Sequence, residues 1–360
     1  MKSTECYTME DKREDKNIPF ELSDYVLRKY FTDTGYRQGW LPENDKRIII
    51  AVSGGGDSIS LLWLFSRFYH GHVIAVHVNH GIRGNESDED EEYVRRFSES
   101  INAEFHSRRI NVPNERMKGE SIESSARRLR HRELCMISKE LKADCIFTGH
   151  NRDDLAETVL FNILRGTGIR GSVGMNESSE IDGVKFYRPL LGLRREFLRE
   201  ILRVRNISWR EDCTNSDESY TRNFIRLNLI PLISERINSS SVEHLARFGE
   251  EMRALRLHED KMSNELLNTC IELESPLVLD RRKMRTLDDT QIALVIRETG
   301  RRLSLRTLPH KRCIELARLI RKPENFIFQW NGDMTVKSMK GRIYFDDCRT
   351  HNHIWTENED

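Results

Sequence analysis

The 360-residue chain contains no Gly-Lys-Ser/Thr triplet, which excludes a Walker A loop. Its seven cysteines, at positions 6, 135, 145, 213, 270, 313 and 348, form no Cys-x-x-Cys pair, and no His/Cys cluster has zinc spacing. An odd number of scattered thiols suggests reduced cysteines in a cytosol, so a cytoplasmic location is expected. No apolar run approaches membrane-spanning length. Residues 1–16 carry acids and lack an apolar core, unlike a signal or transit peptide, and residues 1–17 are expected to be disordered. Charge of one sign is also missing: 58 Lys/Arg against 58 Asp/Glu leave a formal net charge of zero, which hides strong local asymmetry.

What is present is organised around residues 47–58. A branched apolar run, Ile48 to Val52, reads as a buried parallel strand. It stops at Ser53-Gly54-Gly55-Gly56-Asp57-Ser58, and an apolar helical pattern follows. Strand, glycine turn and helix together aim backbone N–H groups at an anion. Glycines let the backbone approach phosphate oxygens closely, and Ser53 and Ser58 add hydroxyls at the two ends. Asp57 would repel a bare phosphate, so its presence points to a divalent cation or to a helix-opening role. This Ser-Gly-Gly-x-Asp-Ser pattern after a hydrophobic strand resembles the PP-loop of the ATP pyrophosphatases.

Residues 72–79 read as a second buried strand, ending in a polar turn with His80 and Arg83. Residues 86–92 are nearly all acidic and open a helix, where the dipole favours them over a metal role. A partly exposed strand is expected near 105–112, then a helix over 121–141. On that helix Glu123, Arg127 and Arg130 share one side, equally compatible with a solvated face and with a site. A fourth strand, 144–148, leads to Asp153, Asp154 and Glu157 at the start of a helix. Their i,i+3 and i,i+4 spacing converges carboxylates that repel unless a positive group lies between them. Capping accounts for one or two of these acids; a Mg²⁺ or substrate role accounts for all three. Arg165 to Gly171 forms a basic, glycine-rich loop that includes Arg170, and a last strand runs through Arg188. The alternation of strand and helix implies a parallel α/β sheet with right-handed crossovers.

Residues 194–210 carry six arginines against two glutamates, a net of +4. Arg210 and Arg222, interleaved with Trp209 and Tyr220, suit stacking against single-stranded RNA bases; the bland alternative is a helix with snorkelling arginines. Beyond 235 the character changes. A long charged helix over 242–268 precedes residues 281–322, which hold thirteen Lys/Arg against four Asp/Glu, a net of +9. Two helices are expected there, then short strands at 326–330, 334–338 and 342–345 with an Asn331-Gly332 hairpin turn. The expected organisation is an N-terminal extension (1–46), a PP-loop ATP-binding catalytic domain (47–235) and a basic, mainly helical domain with a small terminal strand region (236–350). Strong basicity in that last part argues for a polyanionic partner.

Taken together, the motifs over about 47–235 resemble the tRNA(Ile)-lysidine synthetase family. They are Ser53 to Ser58, His77-Val-Asn-His80-Gly-Ile-Arg83-Gly, Glu123/Ala126/Arg127, Gly149-His150 with Asp153-Asp154 and Ala156-Glu157-Thr158, Arg165 to Gly171, Arg188-Pro-Leu-Leu191, Trp209 to Asp212, and Tyr220 to Asn223. The basic C-terminal part resembles the family's first C-terminal domain more loosely, and a further C-terminal domain of longer members is expected to be absent. Gly56 and Asn151 depart from the usual pattern without removing a charge. The resemblance implies a ligase that uses ATP and Mg²⁺ to join free L-lysine to the wobble cytidine of a CAU-anticodon tRNA(Ile). It implies catalytic roles for Asp57, Asp153, Asp154, Glu157 and Arg127. Nucleotide contacts would come from Ser53, Gly54, Gly55, Gly56, Asp57, Ser58, His80 and Arg83. Metal contacts would come from Asp57 and Asp153 or Asp154, and substrate contacts from Arg165, Arg170, Arg188, Arg210 and Arg222. A tRNA thiolation enzyme shares the loop, but that chemistry typically needs paired cysteines. A non-catalytic nucleotide-binding regulator leaves the convergent acids unexplained.

Overall fold

The computed structural model describes residues 18–41, 46–81, 85–211, 221–332 and 334–347. Arg83 and the segment 212–220, with Asp212 and Tyr220, lie outside the described residues. The chain divides into two compact units, 1–253 and 254–360, so the division falls after the boundary expected near 235.

In the first unit the elements are α1 (Asp24–Gln38), β1 (Arg47–Ala51), α2 (Gly56–Phe68), β2 (His72–Asn79), α3 (Asn85–Ser100), β3 (Glu104–Arg109), α4 (Val112–Glu115), α5 (Ile122–Glu140), β4 (Cys145–Thr148), α6 (Arg152–Leu164) and α7 (Ile169–Ser172). They continue with β5 (Ser178–Ile181), β6 (Val184–Tyr187), α8 (Arg195–Arg203), α9 (Thr221–Phe224), a π turn (Ile225–Leu229), α10 (Ile230–Arg236) and the first part of α11 (Ser241–Cys270). The strands form one sheet in the order β3-β2-β1-β4-β6-β5. All pairings are parallel except the edge pair β5/β6, a hairpin the sequence reading had missed.

Strand alternation explains the two-sided core. Ile48 and Ile50 of β1 pack on one face with Leu61, Leu62 and Phe65 of α2 and Leu198 and Ile201 of α8. Ile49 points the other way, to Leu129, Leu134 and Ile137 of α5. The N-terminal helix is part of this core: Leu27 and Phe31 are buried, and Phe31 meets Phe65 edge-on with ring centroids 4.8 Å apart. The strand order reverses on either side of β1. From there the chain steps outward to β2 and β3, then returns to place β4 on the opposite side. A crevice opens at such a switch point, beyond the carboxyl ends of β1 and β4.

The second unit holds the rest of α11, β7 (Ile271–Glu274), β8 (Leu277–Asp280), α12 (Arg281–Arg285), α13 (Asp289–Arg302), α14 (His310–Arg321), β9 (Ile327–Asn331), β10 (Met334–Met339) and β11 (Arg342–Asp347). Strands β7 and β8 add to the three expected ones, giving an antiparallel sheet in the order β7-β8-β11-β10-β9. Not all of the unit's basicity faces solvent. Arg281 is buried, and its guanidinium donates to the carbonyls of Leu319 (3.0 Å), Ile320 (3.0 Å) and Glu324 (2.8 Å) and to Ser338 Oγ (2.7 Å). It thereby caps the carbonyl end of α14 with a charge the helix dipole favours. Arg281→Met strips those carbonyls of donors, so we expect the second unit to lose about 3 kcal/mol of stability. Urea unfolding followed by Trp330 fluorescence checks this; an unchanged midpoint contradicts the capping role.

Candidate active site

The glycine loop is held in shape by its own serines. Ser58 Oγ accepts from the Ser53 N–H (3.1 Å) and donates to the Gly55 carbonyl (2.9 Å), while Gly55 N–H reaches Ser53 Oγ at 3.4 Å. Gly54 has φ 94°, a left-handed conformation that favours glycine. Its carbonyl accepts from Arg210 N–H at 3.0 Å. At Gly56 a side chain would start 3.5 Å from the Trp209 indole, so the room a bulkier residue would use is bounded by that ring. Helix α2 begins at Gly56 without a side-chain cap, which leaves its first N–H groups for an anion.

The turn after β4 comes equally close. A Cβ on Gly149 would lie 3.0 Å from Ser58 N and 3.1 Å from the Asp57 carbonyl oxygen. Glycine lets the two turns touch without displacing either by a few tenths of an ångström. Gly149→Ala is therefore expected to cost about 1–3 kcal/mol by forcing them apart. It should also slow turnover more than it lowers the melting temperature suggests. Wild-type turnover in the variant would show that the approach is not needed.

That contact sets the acids of α6 against Asp57. Asn151 caps α6: its Oδ1 accepts from Asp154 N–H (2.9 Å), and Asp154 Oδ2 accepts from Asn151 N–H (3.0 Å). Asp154 is thus a cap through one oxygen and a site group through the other. Its Oδ1 accepts from Arg195 Nη2 at 2.9 Å, and the same nitrogen donates to Glu157 Oε1 at 3.1 Å. Arg195 Nε lies 3.6 Å from Asp57 Oδ2. Arg222 and Arg226, one turn apart across the π turn, bring their Nε atoms to 3.6 and 3.9 Å from Glu157. The positive group that the acid spacing demanded is therefore a guanidinium in this structure.

Asp153 is directed elsewhere. Arg194 grips it through Nε and Nη2, each at 3.1 Å, and its Oδ2 accepts from Arg195 N–H at 2.8 Å. The structure brings Asp57, Asp154 and Glu157 together on one guanidinium and turns Asp153 toward the start of α8. Among the described residues no cluster of three His, Cys, Asp or Glu has metal-binding geometry. Asp57 Oδ1 is nonetheless buried without a hydrogen-bond partner, as is Asn151 Nδ2. An unpartnered carboxylate oxygen beside an anion-binding loop fits a hard cation such as Mg²⁺.

Charge states follow from this packing. Burial, then the neighbouring Asp154, pushes Asp57 up to about 6. Burial and Asp154 also raise Glu157. For Asp154 burial works upward, but the guanidiniums of Arg195 and Arg222 outweigh it and hold the carboxyl below the usual range. Burial keeps His150 neutral.

A cavity of about 550 Å³ opens beside Glu157, lined by Arg127, Arg188, Arg222, Thr158, Phe161 and Glu123 among others. Burial, then Arg127, pushes Arg188 down to about 10, so this wall is crowded with cations. Three of the arginines expected at the site thus share one cavity. Arg165 stacks over Phe161, its guanidinium carbon 5.1 Å from the ring centre. Arg210 is tied to the acidic helix through Asp90 (3.0 Å) and Glu89 (2.8 Å). Arg170 lies on α7, and His80 lies just past the end of β2, beside β1. Arg195, Arg194 and Arg226 were missed by sequence reasoning. A signal existed: two arginines at the positive end of a helix are unfavourable unless acids meet them.

Residues 28–233 match the PP-loop domain, the class that sheet, loop and crevice define. The tRNA(Ile)-lysidine synthase of Chlorobaculum tepidum is 36% identical over 243 residues, covering 66% of this chain and 72% of that protein. The enzymes of that name from Clostridium acetobutylicum (34% over 250 residues; 68% and 53%) and Thermus thermophilus (36% over 252 residues; 67% and 48%) are similarly related. The chain belongs to the tRNA(Ile)-lysidine synthase family. It spans about half the length of several of these relatives. Among solved structures, the U34-tRNA thiolase NcsA from Methanococcus maripaludis, with its 4Fe-4S cluster, has the same fold at a TM-score of 0.51 and 21% identity, covering 62% of this chain and 80% of that one.

Proposed function

We propose that this chain is an ATP-dependent ligase that joins the ε-amine of free lysine to C2 of the wobble cytidine in a CAU-anticodon tRNA(Ile). The observation that carries the reading is the switch-point crevice, where an anion-binding loop with an unpartnered Asp57 oxygen adjoins an acid-and-arginine cavity. In the first step the C2 oxygen attacks the α-phosphorus of ATP and pyrophosphate leaves. The loop N–H groups and the Ser53 and Ser58 hydroxyls grip the leaving phosphates. In the second step the neutral ε-amine attacks C2, the C2–oxygen bond to AMP breaks, and the amine gives up a proton. Glu157, buried and raised in pKa, stands at the cavity wall to attract the ammonium and to take that proton. Arg127, Arg188 and Arg222 present positive charge for the lysine carboxylate or an RNA phosphate. Mg²⁺ would be held by Asp57 with Asp154 nearby, and when bound it offsets charge on the departing pyrophosphate.

Two of the described cysteines favour lysine over sulfur as the incoming group. Cys135 and Cys145 are buried, and burial raises both thiols, Cys145 to about 12, far from the thiolate that sulfur transfer uses. No described helix is long and apolar enough to cross a membrane, in keeping with a proposed cytoplasmic site of action.

The second unit is the proposed tRNA-binding part. Arg282, Lys283, Arg302, Arg306, Lys311 and Arg318 all lie exposed within the +9 stretch. For about four phosphate contacts, tRNA affinity should fall about a hundredfold between about 50 and about 200 mM salt. A flat salt dependence would mark this basicity as solvated surface only. The function itself is tested by product release. Pyrophosphate should appear only with ATP and the tRNA together, and AMP should additionally require lysine; lysine-independent AMP formation would count against the ligase.

A further inference from the structure

Arg195 belongs to no glycine loop, yet three acids from two separate helices face it. Its guanidinium is closed on Asp154 and Glu157, through Nη2 at 2.9 and 3.1 Å. Toward Asp57 it stays open: Nε is buried, makes no hydrogen bond, and stands 3.6 Å from Oδ2. The side chain of the fully buried Asn151 acts on Asp57, yet neither Asp57 Oδ1 nor the Asn151 amide nitrogen reaches hydrogen-bond geometry. Buried polar atoms left open in this way are costly, so the arrangement is poised toward a further group at Asp57 and not at the other two acids. The start of α8 does not by itself favour this arginine. It is fixed there from outside, by Asp153 gripping Arg194 and accepting from Arg195 N–H at 2.8 Å.

We infer that Arg195 is a positioning residue, a resident guanidinium that supplies the positive charge among Asp57, Asp154 and Glu157, holding the last two in place and leaving only Asp57 to turn toward the nucleotide's metal. The inference rests on reading this crevice as the Mg·ATP site. It separates the acids by task. Asp57 serves the phosphates, while Asp154 and Glu157 stay locked for the later chemistry. It also carries a consequence for the protein without nucleotide. Removing the guanidinium leaves Asp57, Asp154 and Glu157 with only Arg222 and Arg226, 3.6 and 3.9 Å from Glu157, as counter-charge, so the carboxylates are free to draw together on Mn²⁺ or Mg²⁺.

The test titrates Mn²⁺ into wild type, Arg195→Met and Arg195→Lys without ATP, tRNA or lysine, followed by electron paramagnetic resonance and by thermal melting. Arg195→Met should bind one Mn²⁺ at least about tenfold more tightly than wild type. Its Tm should rise by about 3 °C once Mn²⁺ reaches about ten times its Kd. Wild type and Arg195→Lys should show neither response. Arg195→Gln replaces the methionine variant if that one fails to fold. In turnover, Arg195→Lys should lower kcat about thirtyfold with the KM for ATP within about threefold, because a point charge keeps the acids together without the fork that orients them. A residue that merely ties α8 to α6 would lower Tm and create no Mn²⁺ response. Equal Mn²⁺ binding in wild type and the neutral variant overturns the inference. Since that readout needs no tRNA or lysine, its failure is separate from a failure of the ligase itself.

Discussion

Asp57→Asn should lose pyrophosphate release about a thousandfold while becoming more resistant to heat. Both halves follow from one environment. Burial, then Asp154, lifts Asp57 from 3.8 to about 6. The folded protein therefore keeps a proton that the unfolded chain releases between these values. The stability this contributes is complete below about pH 4 and is lost as pH rises through about 6. Above that, the ionised carboxylate weighs against the fold by up to about 3 kcal/mol, since its side chain is only 26% exposed. Asparagine keeps the shape and removes the charge. The melting temperature of the variant should exceed that of wild type at pH 8 and match it near pH 4. Activity should fall because the carboxylate charge behind the unpartnered oxygen beside the loop is gone. An active variant would remove Asp57 from the chemistry. A variant less stable at pH 8 would show that Arg195 already compensates its charge.

Glu157→Gln should instead separate the two halves of the reaction. Glu157 is 2% exposed, accepts from Arg195, and opens onto the arginine-lined cavity. It does not contact the glycine loop in any of its described bonds. Pyrophosphate release should stay within about threefold of wild type, because adenylation draws on the loop and on Asp57. Lysine-dependent AMP release should fall at least about a hundredfold, the size of a lost general base. Rapid-quench measurement of both products in one reaction gives the answer. Equal losses in both steps would place Glu157 in the nucleotide site; no loss in either would make it a structural counter-ion for Arg222 and Arg226.

Much of this was legible before any coordinates. Ile48 to Val52, the glycines and Ser53 to Ser58 announce strand, turn and helix because backbone chemistry at a phosphate site leaves few choices of residue. The converging acids were visible as well, since i,i+3 and i,i+4 spacing is a property of any helix. Their division of labour was not. Asp153 and Asp154 are neighbours in sequence, but only packing against α8 turns one to Arg194 and caps the helix with the other. Arg195 was hidden inside a run read for its net charge. The N-terminal helix was read as an extension, although Leu27 and Phe31 belong to the main core, because a helix before the first strand carries no mark of where it docks. Strands β5 and β7 escaped for another reason. Each has only four residues, lies at a sheet edge and carries glutamate or serine on its open side. β7 follows α11 without a breaking residue, so periodicity alone did not separate them.

The most direct measurement of the central claim is the mass of the anticodon nucleosides after a CAU-bearing tRNA(Ile) is incubated with this chain, ATP, Mg²⁺ and isotopically labelled lysine. The expected result is a wobble cytidine that carries the label and the mass of one lysine less water, formed only when ATP and lysine are both present. An unmodified cytidine under all conditions, or a nucleoside that gains sulfur when a sulfur donor is supplied, would contradict it.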